Sequence, residues 1–136
     1  MRYYLDGTVL QRLLGPQPDA GALRDWLITN RAEITTSILA RWEVAEQMAL
    51  LDHTARVQAT DLLGSIRDLP ITGKALEMGS FAVAALNPYG ALHVGIVAAH
   101  GSVNTMVTFD PAVASAARVH GLEVFAPGLP ANWYVT

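Results

Sequence analysis

The stretch Arg2-Tyr3-Tyr4-Leu5-Asp6-Gly7-Thr8-Val9-Leu10-Gln11-Arg12-Leu13-Leu14 decides how the rest of the chain is read. Arg2 to Asp6 is a short apolar strand closed by an acid. From Thr8 to Leu14 the period changes: Leu10, Leu13 and Leu14 stand at helical spacing, and Gly15-Pro16 stops the helix. Strand, acid, helix is the opening half of a βαβ unit.

Reading outward, the same alternation continues. Asp19 can cap a second helix whose Leu23, Trp26 and Leu27 share a face. Glu33 to Ile38 is rich in β-branched residues and reads as a strand. Leu39 to about Leu51 is helical, with Trp42, Ala45 and Ala49 on one side. Thr54 can cap a helix in which Ala55, Ala59, Leu62, Leu63 and Ile66 align. Leu69 to Ile71 is a short strand, and Thr72 to Leu86 a helix of mostly small residues. Asn87-Pro88 opens a helix that ends near Gly101. Val103 to Thr108 is a buried strand, Asp110-Pro111 opens a last helix ending near Gly121, and Leu122 to Phe125 is a final strand.

Strands alternating with helices along one chain predict a parallel sheet, here of four or five strands, covered on both faces: a three-layer α/β/α fold. No repeat or linker divides residues 1–136, so one domain is expected. Ligands in such folds bind at the carboxyl ends of the strands, where Asp6 and Asp110 both fall.

Composition narrows the function. The longest apolar run, Ala91 to Ala99, is broken by His93 and Gly95 and is too short to span a bilayer. Asp6 comes too early for a signal peptide, so a cytoplasmic protein without a membrane partner is expected. There is no cysteine, which removes disulfides, thiolate nucleophiles and zinc–sulfur sites. Net charge is −3, with one Lys and eight Arg. That argues against a general nucleic-acid coat and leaves room for a local RNA contact.

Each residue that could carry chemistry has a plain structural reading beside it. Asp6 and Asp110 can be helix caps, Glu43 a surface glutamate, and His93 a buried, hydrogen-bonded histidine. No Ser/His/Asp or Thr/Lys set activates Thr8, and the glycines form no phosphate-binding loop.

Four segments in order nevertheless resemble the PIN-domain ribonucleases, and within them the VapC toxins of toxin–antitoxin pairs. Tyr4 to Leu14 is similar to the family's opening strand, acid and amphipathic helix. Thr36-Ser37-Ile38-Leu39-Ala40-Arg41-Trp42-Glu43 is similar to its Thr-Ser turn leading to Arg-x-Glu. Leu86-Asn87-Pro88-Tyr89-Gly90-Ala91-Leu92-His93 resembles its third segment, and Val107-Thr108-Phe109-Asp110 its fourth. The match runs from about residue 2 to residue 128, ending on a strand followed by Pro-Gly.

The resemblance implies a PIN-like fold in which Asp6, Glu43 and Asp110 bind Mg²⁺ or Mn²⁺, with Thr8 and Thr108 supporting them through hydroxyl hydrogen bonds. The implied activity is endoribonuclease cleavage of RNA phosphodiesters, neutralised by a cognate VapB-like antitoxin. A homodimer is implied as well, and an antitoxin segment that points a basic side chain at the acids and covers an apolar groove drawn from the helices around Leu10, Leu13, Trp42 and Leu50. Two positions depart from the pattern. Gly90 stands where the family has an Asp, and Gly7 where Thr or Ser is usual. A binding module of the same fold, weakened or inactive in catalysis, is therefore the alternative. A flavodoxin-like small-molecule binder is a third reading, weakened by the absence of a phosphate loop.

Overall fold

A computed structural model describes residues 2–15, 20–83 and 86–135. Five short strands form one parallel sheet: β1 (Tyr3–Leu5), β2 (Ile34–Thr36), β3 (Arg67–Asp68), β4 (Thr105–Val107) and β5 (Glu123–Phe125). Their order is β3-β2-β1-β4-β5. Tyr4 pairs with Thr35 on one side and Met106 on the other. The chain thus leaves β1 toward one edge and later returns to build the other, so the order reverses between β1 and β4.

Alternation along the strands sorts the core into two layers. Leu5 and Val107 face the helices α1 (Gly7–Leu14), α2 (Ala20–Thr29), α3 (Ile38–Glu43), α4 (Ala45–Ala49) and α5 (His53–Gly64). There they meet Val9, Leu10, Leu13, Leu23, Leu27, Val44 and Leu63. Tyr4 and Met106 face α6 (Gly73–Ser80), α7 (Pro88–Ala98) and α8 (Pro111–Val119), among Ala75, Val94, Val97, Val113 and Ala117. The expected three layers and parallel sheet are present, with five strands.

Several boundaries differ from the sequence reading. Glu33 to Ile38 yields a strand only over Ile34–Thr36, because Ser37 takes the amide of Ala40 and caps α3. The Leu39–Leu51 helix is two helices, broken at Val44. Its Trp42–Ala45–Ala49 side is exposed, while Ala40 and Val44 are buried. Asp52, not Thr54, caps α5. The Leu69–Ile71 strand is displaced to Arg67–Asp68, an exposed polar edge whose neighbour Leu69 still donates to the Thr36 carbonyl. α6 ends at Ser80, short of Leu86. Asp19 and Pro16 lie outside the described residues. Leu10 and Leu13 are core residues at 0% and 2% exposure, so a surface groove cannot draw on them; Trp42 and Leu50 are open.

Candidate functional site at the reversal of strand order

Asp6 follows β1 and is the N-cap of α1, so its carboxylate is aimed by the helix start itself. Oδ1 accepts from the Thr8 amide (3.0 Å), the Thr8 hydroxyl (2.5 Å) and the Val9 amide (3.3 Å). Oδ2 accepts from the Thr108 hydroxyl at 2.5 Å. Thr108 ends β4, and its Oγ1 also takes the Asp110 amide at 3.0 Å. Thr8 Oγ1 takes the Phe109 amide at 2.9 Å. Two threonines thus stitch the ends of β1 and β4 around one buried acid. Burial raises the Asp6 pKa; His93 and the hydrogen bonds from Thr108, Thr8 and Val9 oppose the rise.

The other two candidate acids are engaged elsewhere. Asp110 caps α8, its Oδ1 accepting from the Ala112 amide at 2.9 Å and the Val113 amide at 3.4 Å. Glu43, at the end of α3, has Oε1 bonded to Nε2 of His93. Arg41, two residues earlier on α3, is an anchor. It binds Asp68 at 2.8 Å and the carbonyls of Leu63 (2.8 Å) and Ile66 (2.7 Å), tying α3 to the end of α5 and to β3.

Behind Glu43 runs a buried row that sequence reasoning did not assemble. His93 Nδ1 lies 2.6 Å from the Tyr4 hydroxyl, which lies 2.7 Å from Ser37 Oγ. Burial pushes the Tyr4 phenol well above its ordinary range, against the pull of the Ser37 hydrogen bond. His93 is the buried, bonded histidine its setting suggested. Its partners are 50 and 89 residues distant, and no local pattern marks them.

Gly90 sits in the first turn of α7, where Asn87 Oδ1 caps its amide at 2.8 Å. A Cβ at Gly90 would point at Val113 Cγ2, 3.2 Å away, on the first turn of α8. The place of the missing acid is therefore beside the Asp110 cap.

The donor set as placed does not fit the three-acid metal centre implied by the resemblance. Among the described residues, no three His, Asp or Glu side chains are arranged to hold one ion. Asp6 is filled by protein donors, Glu43 is taken by His93, Asp110 is capping, and Gly90 offers nothing.

No family model matches the chain. Two curated proteins of Mycobacterium tuberculosis are similar to it along nearly their whole length. Ribonuclease VapC46 is 27% identical over 126 residues, 91% of this chain and 96% of that protein. Ribonuclease VapC47 is 27% identical over 131 residues, 92% and 96%. Among solved structures, VapBC2 from Rickettsia felis bound to a DNA fragment from their promoter gives a TM-score of 0.68 at 14% identity, covering 93% of this chain and 98% of that one. FitAcB from Neisseria gonorrhoeae gives 0.63 at 19%, covering 90% and 96%. These two are likenesses of fold. Across nine-tenths of its sequence, and in its three-layer fold, the chain is similar to the VapC-type PIN-domain proteins.

Proposed function

We propose that the chain is a VapC-like ribonuclease of a toxin–antitoxin pair, acting on RNA phosphodiesters at the carboxyl ends of β1 and β4. The observation that carries this reading is the colinear likeness to two proteins named ribonucleases. The buried Asp6, held between Thr8 and Thr108 at the reversal of strand order, supports it. Asp6, Glu43 and Asp110 remain the acids proposed for the chemistry. Mg²⁺ or Mn²⁺ is the cofactor proposed from the resemblance, and the acids as placed do not fit it. Thr8 and Thr108 orient Asp6, and Arg41 fixes the helix that presents Glu43.

The proposed partners are a VapB-like antitoxin and a second copy of this chain. A second reading, a PIN-fold binding module without catalysis, is favoured by Gly90 and by the His93–Glu43 pair. One experiment separates the two. Single-stranded RNA is incubated with the wild type, with Asp6→Asn and with Glu46→Gln, a change at an exposed glutamate of α4 three residues after Glu43, each with Mn²⁺ and with chelator. Cleavage that needs Asp6 and survives Glu46→Gln supports the ribonuclease. RNA retained but never cut favours the binding module, and cleavage indifferent to Asp6 overturns the site.

A further inference from the structure

Glu43 occupies a place that exists only because residue 7 has no side chain. A Cβ built on Gly7 would lie 2.8 Å from the Glu43 carboxyl carbon and 2.9 Å from each of its oxygens. The carboxylate rests on the first turn of α1 and is held there by His93.

The bonds behind His93 decide which nitrogen carries its proton. Ser37 Oγ accepts the Ala40 amide at 3.3 Å, leaving its own proton for Tyr4. Tyr4 then gives its proton to Nδ1, and Nε2–H is left to donate to Glu43. In that order every donor of a buried row has an acceptor. With the proton on Nδ1 instead, Tyr4 must turn toward Ser37, and among the described bonds the Ser37 proton has nowhere to go. Such second partners routinely fix the tautomer of a histidine.

We propose that Gly7 and His93 form a seat that withdraws the Glu43 carboxylate from any divalent cation at Asp6, so that the folded chain is latched. The inference rests on the ribonuclease reading only in taking Asp6 and Glu43 as acids a cation needs. With Glu43 seated, an arriving cation finds Asp6, already the acceptor of Thr8, Val9 and Thr108 donors, and no side chain at Gly90. Asp110, whose Oδ1 is given to the α8 cap, is then the one other acid of the proposed set, and the cation lacks the third.

The seat is simple to abolish. What a Cβ at residue 7 meets is the far end of a flexible side chain, so Gly7→Ala displaces the carboxylate and leaves the backbone in place.

Mn²⁺ binding is measured by titration calorimetry, and the His93 ring is observed by ¹⁵N NMR. The wild type is expected to show a ring proton on Nε2, with Nδ1 accepting from the Tyr4 hydroxyl, and weak Mn²⁺ binding. Gly7→Ala is expected to tighten Mn²⁺ binding at least about tenfold, and Asp6→Asn in that background to remove the gain. His93→Leu, which cannot hold the carboxylate, should also gain, whereas His93→Gln, whose amide can, should behave as the wild type. These two variants decide the matter if Gly7→Ala folds poorly. A folded Gly7→Ala with unchanged or weaker Mn²⁺ binding overturns the latch, and so does a wild-type ring proton on Nδ1. RNA cleavage is read apart. A Gly7→Ala protein that gains Mn²⁺ yet cuts no RNA removes the ribonuclease reading and leaves the latch standing.

Discussion

Asp6 is 1% exposed and ringed by donors, and the two facts pull its proton in opposite directions. Burial is the larger cause, so its folded pKa stands above the unfolded one. Protonation therefore favours the native state. That contribution is whole below the unfolded value of about 4 and is lost as pH rises through the folded value. Asp6→Asn keeps a good cap, and its amide can donate to Thr108 Oγ1 while its oxygen accepts from Thr8 and Val9. The variant is expected to melt above the wild type at neutral pH and to lose this part of the pH dependence. Asp6→Ala forfeits the cap as well and should be less stable than the Asn variant by about 1–2 kcal/mol. A Tm for Asp6→Asn below the wild type across the whole pH range would show that the donors outweigh burial. Gly90→Asp tests the neighbouring gap. A carboxylate in the first turn of α7 is favoured by the helix N-terminus, but its Cβ must push Val113 by a few tenths of an ångström. The variant should fold with a loss of about 1 kcal/mol, several degrees of Tm, and Mn²⁺ should restore more of that than it does for the wild type. Equal response of the two proteins to Mn²⁺ would show that an acid at this place joins no site.

At the scale of elements, the caps and their spacing were the readable part. Asp6, Asn87 and Asp110 each open the helix that their residue types predict, because capping is a contact between near neighbours in sequence. What was not readable depends on distant partners. β3 is an exposed Arg67–Asp68 edge with no apolar pattern, and only its pairing with Thr35 and Thr36 makes it a strand. The row Ser37–Tyr4–His93–Glu43 joins the two ends of α3 through β1 and α7, and none of the four residues signals its partner. The α6–α7 crossing is a further case. Helix α7 is apolar all round, as a helix buried between layers should be, yet Gly95 is readable as a packing device only once α6 lies against it. A Cβ at Gly95 would sit 2.1 Å from the Ala75 carbonyl oxygen and 2.6 Å from the Gly79 nitrogen. Both are backbone, so nothing local can yield. Gly95→Ala is expected to cost at least about 3 kcal/mol and to leave the protein largely insoluble or with a much lower Tm. Gly21, inside α2, meets nothing within 4 Å. Gly21→Ala should therefore stabilise by about 0.5–1 kcal/mol, and urea unfolding of the two variants side by side checks both signs.

At the scale of the molecule, apolar surface is left open on both outer layers of the sandwich. On the layer of α1 to α5, Ile38, Trp42 and Leu50 are 53%, 78% and 83% exposed. On the layer of α6 to α8, Leu76 and Tyr89 are 58% and 60% exposed, with Phe81 and Val83 beside the end of α6 also open. Large apolar side chains left in water on both layers give each of the two proposed partners a face of its own. No helix of the described residues is long and apolar enough to cross a membrane. Under the toxin reading the two partners are an antitoxin and a second copy. The sheet separates the two faces, so substitutions on one should leave the other unaffected. Leu76→Glu with Val83→Glu places two charges on the α6–α7 side, and Trp42→Ala with Leu50→Ser removes the apolar bulk of the α3–α4 side. If each face serves one partner, light scattering and antitoxin titration will each be sensitive to one pair and blind to the other. The expected assignment puts the second copy on α6–α7, where Leu76 and Val83 line a shallow apolar hollow with Pro88, Ala91 and Leu92. It puts the antitoxin on α3–α4, next to Glu43. The Leu76/Val83 variant should then run as a monomer that still binds antitoxin, and the Trp42/Leu50 variant as a dimer whose antitoxin affinity falls by at least about 2 kcal/mol. A reversed pattern would exchange the two faces. A variant pair that changes both readouts together would mean that one continuous interface, reaching around the sheet edge, serves both partners.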